Sequence, residues 1–243
     1  MSKITMLTAY DFNTARALAE AGIDYILVGD SLAMVGLGYP NTQTVSLGEM
    51  LIATRAVRRG APQAKIITDM PLQAVNKKII EAMKAAEQII IAGANIVKIE
   101  NAEKDTLRLI RKLREERIEV MGHLGYTPQS FDKPALVKDR EKLLEDAHKL
   151  EEHGVMAIVL EMVPSEIAAE ITQAIKIPTI GIGAGAGCSG QVLVSDDMLG
   201  RYNLMNPKFL RRYSNQYKDM LSSFKKYIED VKAGDFPAEA ESY

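Results

Sequence analysis

The sequence predicts an α/β protein folded as a single-domain (β/α)8 TIM barrel. Short, nearly continuous apolar runs alternate with amphipathic stretches along the whole chain, the pattern of a parallel sheet covered by helices on both faces. Eight such runs occupy about 200 residues, close to what a closed barrel of this kind requires. No linker, low-complexity tract or repeat divides the 243 residues, so one domain over 1–243 is expected in preference to an open doubly wound sheet.

The elements follow in order. ITMLTAY (4–10) opens the barrel and a helix follows near 12–21. YILVGD (25–30) ends on an acid, enters a Gly-rich loop and leads to a helix at 47–59. KIITDM (65–70) again ends on an acid. The next stretch, 76–92, places Ile79, Ile80, Met83, Ala86 and Ile90 on one helical face and stops at Gly93. IVKIE (96–100) precedes a helix at 103–117, EVMGHL (119–124) one at 138–153, and AIVLEMV (157–163) one at 165–175. PTIGIGAG (178–185) and QVLVSD (191–196) complete the strands, and a long helical segment covers about 207–232.

Composition bounds the function. The chain is 47% hydrophobic and 26% charged with a net charge of −2, which argues against a nucleic-acid binder, since phosphate neutralisation needs clustered Lys and Arg. The pairs Arg58-Arg59 and Arg211-Arg212 read as solvated helix faces. Cys188 stands alone, so no internal disulfide framework exists and a reducing compartment fits. There is no secretory core and no run of 18 apolar residues, so a soluble, cytoplasmic protein without a membrane partner is expected.

Within IVKIE, Lys98 and Glu100 share the face that Val97 and Ile99 do not. The same thing recurs at other strand ends: Asp30-Ser31, Asp69, His123 and Glu161. In a barrel of this type those ends form one rim, where reacting groups belong. Bland roles compete with this reading: helix capping for the aspartates, a structural salt bridge for Glu161, pairing with Asp69 or Glu100 for Lys98, and a core histidine for His123. Capping is disfavoured because neither Asp30 nor Asp69 directly opens a helix in this reading. The carboxylates suit a hard divalent cation such as Mg²⁺, which takes one or two protein oxygens and fills its octahedron from water and substrate. Lys98 beside acids favours its ammonium form, hence anion holding over Schiff-base chemistry. The glycine run IGIGAGAGCSG (180–190) is expected to admit substrate or cofactor close to the backbone.

LTAYD (7–11), VGDSLAMVGLGY (28–39), TDMP (68–71), GANIVKIE (93–100), VMGHLGYTPQS (120–130), VLEMVP (159–164), IPTIGIGAG (177–185) and GQVLVSDDMLG (190–200) together resemble the 3-methyl-2-oxobutanoate (ketopantoate) hydroxymethyltransferase family, in order and over nearly the whole chain. The resemblance implies a (β/α)8-barrel enzyme of pantothenate biosynthesis that adds a hydroxymethyl unit from 5,10-methylenetetrahydrofolate to 3-methyl-2-oxobutanoate through a Mg²⁺-stabilised enolate. It implies that Asp30 and Asp69 hold one Mg²⁺ per subunit with Glu100 in support, that Ser31, Asp69, Lys98 and the metal ligand Asp30 contact the oxoacid, that Glu161 accepts the proton, and that His123 lines the same site. It also implies a homo-oligomer, and the apolar faces of the carboxyl-terminal helical segment could pack between subunits.

The chain departs from the family's usual pattern in places. The segment 131–142 is short, Ala53 stands where a histidine is common, Asn101-Ala102 replaces a glycine pair, Ser189 an aspartate and Leu72 a phenylalanine. Two rival readings remain from sequence: a Mg²⁺-dependent oxoacid lyase of the phosphoenolpyruvate-mutase and isocitrate-lyase type, and a non-catalytic scaffold that keeps the barrel.

Overall fold

All eight apolar runs form strands in the computed structural model, which describes residues 2–130 and 135–243. Residues 131–134 of the short segment 131–142 lie outside the described residues. The chain divides into two compact units, Met1–Val194 and Ser195–Tyr243. The first unit runs β1 (Ile4–Thr8), α1 (Phe12–Glu20), β2 (Tyr25–Val28), α2 (Leu32–Val35), α3 (Leu47–Gly60), β3 (Lys65–Asp69), α4 (Leu72–Val75), α5 (Ile79–Ala92) and β4 (Ile96–Glu100). It continues with α6 (Lys104–Glu115), β5 (Glu119–Gly125), α7 (Arg140–Glu152), β6 (Ala157–Glu161), α8 (Ser165–Ala174), β7 (Thr179–Ile182) and β8 (Gly190–Leu193). The strands pair in sequence order, all parallel, and β8 closes on β1 through Ile4 opposite Gly190.

Local chemistry starts the helices where the sequence reading places them. Asp11 caps α1 by accepting from Thr14 N at 2.9 Å. Ser46 and Glu49 cap α3 reciprocally, and such caps each contribute about 1 kcal/mol. The main core lies between barrel wall and helices: Val97, Ile99, Val120, Ile158 and Leu160 pack against Ala86, Ile89, Leu109, Leu113, Leu150 and Ile171. A second cluster joins β2 to α1 and α3 through Ile26, Val28, Ala15, Met50, Ala53 and Val57. Outward-facing strand residues therefore belong to the apolar layer, which leaves their alternates to fill the barrel.

Three expectations are corrected. On α5 the buried residues are Ala82, Ala85, Ala86, Ile89 and Ala92, while Ile80 is 65% exposed. Of the expected face, Ala86 is buried and Ile79, Met83 and Ile90 pack partly buried against the core, so Ile80 alone departs from it. Arg58 is no solvated face. Its guanidinium donates to the carbonyls of Gly93 (2.8 Å), Pro62 (2.9 Å) and Ala64 (3.0 Å) and to Asn95 Oδ1 (2.7 Å), so it ties the chain entering β3 to the chain entering β4. As expected, neither Asp30 nor Asp69 caps a helix: the single-turn helices α2 and α4 start two and three residues further on, behind Ser31 and Pro71. The glycine run serves packing: a Cβ on Gly185 would lie 2.5 Å from Ser165 Cβ, and one on Gly187 2.7 Å from Ala169 Cβ, so these glycines let the β7–β8 connection lie against α8.

The second unit carries α9 (Ser195–Met198) and α10 (Gln216–Ala233). The expected helix over 207–232 begins only at Gln216, because Asn215 caps it with a bond from Lys218 N at 3.3 Å. Tyr217, Leu221, Phe224, Ile228 and Val231 recur along one stripe of α10, and all are exposed. Among the described residues no helix is long and apolar enough to cross a membrane.

Candidate active site

Ladder register brings the polar strand ends together. Asp69 lies directly opposite Lys98, Glu100 opposite His123, and Gly125 opposite Glu161. Residues paired this way have Cβ atoms about 5 Å apart, so side chains turned into the barrel touch at once. Lys98 Nζ stands 3.1 Å from Asp69 Oδ1, His123 Nδ1 is 3.2 Å from Glu100 Oε1, and His123 Nε2 is 3.4 Å from Glu161 Oε2. From β2, Asp30 joins them through its backbone N–H, which donates to Asp69 Oδ2 at 3.0 Å. Ser31 follows, its Oγ 2.7 Å from Tyr10 Oη.

These groups surround one cavity of about 100 Å³ lined by Asp30, Ser31, Asp69, Lys98, Glu100, His123 and Glu161. Every site residue proposed from sequence is in that wall. Leu27, Val159, Ile182 and Val192 supply its apolar part. A wider cavity of about 690 Å³ shares Glu100 with it and is also lined by Gln129, Lys77, Lys78 and Arg108.

Two residues at the site escape the sequence reading. Gln129 donates from Nε2 to Asp30 Oδ2 (2.9 Å) and to the Met70 carbonyl (3.0 Å), while its backbone N–H donates to Glu100 Oε2 at 3.0 Å. The TPQS motif contained it, but nothing in its spacing reveals a reach across three strand ends. Thr42, in the 3₁₀ turn Thr42–Thr44, also lines the cavity.

Burial sets the charge states. The Asp30 carboxyl is pushed up to about 8, chiefly by desolvation and further by Asp69 and Glu100. Asp69 is also raised by burial, with Lys98 and the Asp30 N–H pulling against it. Burial works to lower Lys98, but Asp69, Glu100 and Asp30 outweigh it and hold the ammonium above its ordinary range. For His123, burial and Lys98 act downward, yet hydrogen bonds to Glu100 and Glu161 win and raise it to about 9. Burial would raise Glu100, but His123 and Lys98 bring it below the usual value. Lys98 Nζ also lies 3.3 Å from His123 Nδ1. With the imidazole protonated that contact is not a hydrogen bond, and Nδ1 is left within ion-pair distance of Glu100.

The donor set fits a divalent cation. Asp69 Oδ1 and Glu100 Oε1 are buried without a hydrogen bond of acceptable geometry, although each lies within ion-pair distance of a cation. In each of these carboxylates the other oxygen is fixed by a backbone N–H, so one oxygen is held and one is left for a ligand. Among the described residues no three His, Cys, Asp or Glu side chains converge tightly enough to hold an ion alone.

A closed parallel eight-stranded barrel with buried acids, an ammonium and an imidazole at the carboxyl ends of its strands defines a (β/α)8-barrel enzyme. Two kinds of comparison refine this. The model of the ketopantoate hydroxymethyltransferase family matches residues 1–239, and the chain belongs to that family. It is 46% identical over 244 residues to the 3-methyl-2-oxobutanoate hydroxymethyltransferase of Clostridium novyi (strain NT), covering 97% of this chain and 88% of that one. It is 47% identical over 244 residues to the enzyme of the same name from Thermotoga neapolitana, covering 98% and 90%. Among solved structures, a phosphonopyruvate hydrolase complexed with oxalate and Mg²⁺ superposes with a TM-score of 0.65 at 13% identity, over 98% of this chain and 88% of that one. A 2,3-dimethylmalate lyase of the phosphoenolpyruvate-mutase and isocitrate-lyase superfamily gives 0.64 at 15% identity, over 98% and 82%. At such identities the structural likeness speaks for the fold alone.

The family departures have local accounts. Asn101, in place of glycine, takes the left-handed conformation with φ 66°, which asparagine tolerates better than other side chains. Its Oδ1 repays this by accepting from Glu103 N (3.0 Å) and Thr106 Oγ1 (2.7 Å). Ser189 is structural: its Oγ accepts from Thr179 N at 3.2 Å, and its carbonyl takes the β1 bond from Ile4 N at 3.0 Å. Ala53 is buried in the cluster between α1 and α3, and Leu72 lines the wider cavity.

Proposed function

We propose that this pocket adds a hydroxymethyl group to C3 of 3-methyl-2-oxobutanoate to give 2-dehydropantoate, with 5,10-methylenetetrahydrofolate as the one-carbon donor. The observation that carries the reading is the convergence of all seven polar strand-end residues on one cavity of about 100 Å³ with an apolar wall, in a chain so similar to hydroxymethyltransferases. A cavity of that size suits a small branched oxoacid, its alkyl end against Val159, Ile182 and Val192. The wider cavity alongside offers the room that the larger folate needs.

Mg²⁺ would be held by Asp30 and Asp69, with Glu100 behind them through water. When bound, it supplies Lewis-acid polarisation of the 2-oxo group, where negative charge develops on enolisation. Lys98, fixed between Asp69 and His123, presents positive charge to the substrate carboxylate. Ser31 offers its hydroxyl to the same end. Glu161 takes the C3 proton. Its side chain is 19% exposed, against 3% for Asp69 and Glu100, so it is the acid most open to the cavity. His123 Nε2 orients it. The enolate carbon then attacks the donor methylene as one folate nitrogen leaves, and water displaces the second nitrogen to supply the hydroxyl oxygen, the C3 proton and one water proton ending on the two nitrogens. The exposed apolar stripe of α10 supports assembly into a homo-oligomer.

The test is solvent-deuterium exchange at C3 of the oxoacid, with and without Mg²⁺, in the parent and in Glu161→Gln. Exchange needs no folate, so it isolates enolisation. Metal-dependent exchange that the substitution suppresses at least a hundredfold is expected; equal exchange in both proteins removes Glu161 from its role.

A further inference from the structure

One wall of the substrate cavity has no role in the scheme above. Thr42 opens the 3₁₀ turn between α2 and α3, is 7% exposed, and lines the cavity together with Asp30, Ser31, Lys98 and Glu161. Its Oγ is buried and has no hydrogen-bond partner among the described residues. Neighbouring hydroxyls are engaged: Thr44 Oγ donates to the Asn41 carbonyl at 3.1 Å, and Ser31 Oγ pairs with Tyr10.

The turn that presents Thr42 is fastened on both sides. Asn41 Oδ1 accepts from Gln43 N at 3.1 Å, and Gln43 Nε2 donates to the Pro128 carbonyl at 3.3 Å. Pro128 itself lines the cavity and precedes Gln129. A fixed, buried and unsatisfied hydroxyl is costly to the unliganded fold. The cost is offset when a ligand oxygen meets it, and Leu27, Val159, Ile182 and Val192 in the same wall offer no such donor.

We infer that Thr42 is a further substrate-binding residue, whose hydroxyl donates a hydrogen bond to an oxygen of the bound 2-oxoacid. This rests on the oxoacid reading proposed above. It makes the turn at 42–44 part of the substrate site, so that the loop after β2 contributes binding as well as enclosure.

The experiment compares the full-length parent, Thr42→Val and Thr42→Ser. Calorimetric titration with 3-methyl-2-oxobutanoate in saturating Mg²⁺ gives the affinity, and thermal melting without ligand gives the stability. Valine keeps the shape and removes the hydroxyl. Thr42→Val is expected to melt at or above the parent's temperature, because the orphan group is gone, while its Kd for the oxoacid rises about tenfold or more. Thr42→Ser is expected to bind within about threefold of the parent. Binding by Thr42→Val within twofold of the parent overturns this inference and leaves the oxoacid reading intact. Weaker binding with a lowered melting temperature also overturns it, since that marks a packing role. A parent that fails to bind the oxoacid at all sinks the functional reading and this inference with it.

Discussion

The side-chain amide of Gln129 holds one oxygen of Asp30 at 2.9 Å, across 99 positions of sequence. The same nitrogen holds the Met70 carbonyl at 3.0 Å, so Asp30 is oriented by a donor that is itself anchored to the chain beyond β3. With Oδ2 engaged, Asp30 can offer a metal only its other oxygen. Gln129→Leu keeps the bulk and removes the donor, freeing the carboxylate to rotate and orphaning the Met70 carbonyl. Mg²⁺ affinity measured by calorimetry is expected to fall about 10- to 100-fold, the usual consequence of losing a group that orients a ligand. An unchanged affinity would show that Asp30 needs no such guide.

Protonation of the cluster makes metal-free stability fall with rising pH. His123, raised to about 9 from 6.5, contributes stability that is fully present below pH 6.5 and lost as pH climbs through 9. Asp30, raised to about 8 from 3.8, works in the same direction: above pH 3.8 the unfolded chain ionises while the folded one keeps its proton, and the full cost is reached beyond pH 8. Thermal melts in chelator should therefore drop between pH 6.5 and 9, and His123→Gln should flatten that slope. Mg²⁺ should bind more tightly as pH rises toward 8, releasing a proton, because the ion takes the carboxylate form of Asp30. Proton release appears as a dependence of the calorimetric heat on the buffer's ionisation enthalpy.

Lys98 is the positive centre of three acids, and its pair with Asp69 is almost wholly buried. Removing one member of such a pair leaves an uncompensated charge and typically costs about 3–5 kcal/mol. Lys98→Met is expected to approach that loss at pH 8, measured by urea unfolding, and to lose less at pH 5. At the lower pH, Asp69, already raised by burial, escapes the penalty by taking up a proton. Oxoacid affinity should fall at both pH values, since the substrate carboxylate loses its counter-charge.

The barrel and its rim were legible because periodicity is a local signal. Lys98 and Glu100 alternate with Val97 and Ile99 in five residues, and the parity alone assigns their face. Register between strands is not local, but in a parallel barrel the strand ends align, so Asp69, His123 and Glu161 could be placed without it. Gln129 and Thr42 could not. They stand on loops, where no period applies: Gln129 acts through a distant carboxylate and carbonyl about 3 Å away, and Thr42 matters only through the cavity it lines. The same limit explains α5: hydrophobicity ranks Ile80 above Ala82, whereas the fold buries the alanine and exposes the isoleucine. Arg58 was misread because its acceptors, the carbonyls of Pro62, Ala64 and Gly93, carry no signature in the sequence.

Gly125 joins the strand that carries His123 to the strand that carries Glu161. It has φ +94°, and a Cβ there would lie 2.1 Å from the Glu161 carbonyl oxygen and 2.8 Å from Val163 Cγ2. The adjacent Tyr126 N–H donates to that same carbonyl at 2.8 Å, so β5 and β6 cannot part without breaking the bond that fixes the backbone of Glu161. Gly125→Ala thus combines a left-handed backbone with a clash against main chain, which no rotamer change relieves. A loss of about 3 kcal/mol in urea unfolding is expected. Transfer activity of the folded fraction should fall about a hundredfold, since a displacement near 1 Å misaligns the base. Gly154→Ala is the control: its φ is +83°, but the nearest atom to an added Cβ is Arg114 Nε at 3.6 Å, in the loop after α7. It should cost only the backbone strain of about 1 kcal/mol and leave transfer unchanged. Equal losses in the two variants would show that backbone strain, and not contact with Glu161, accounts for the effect at Gly125.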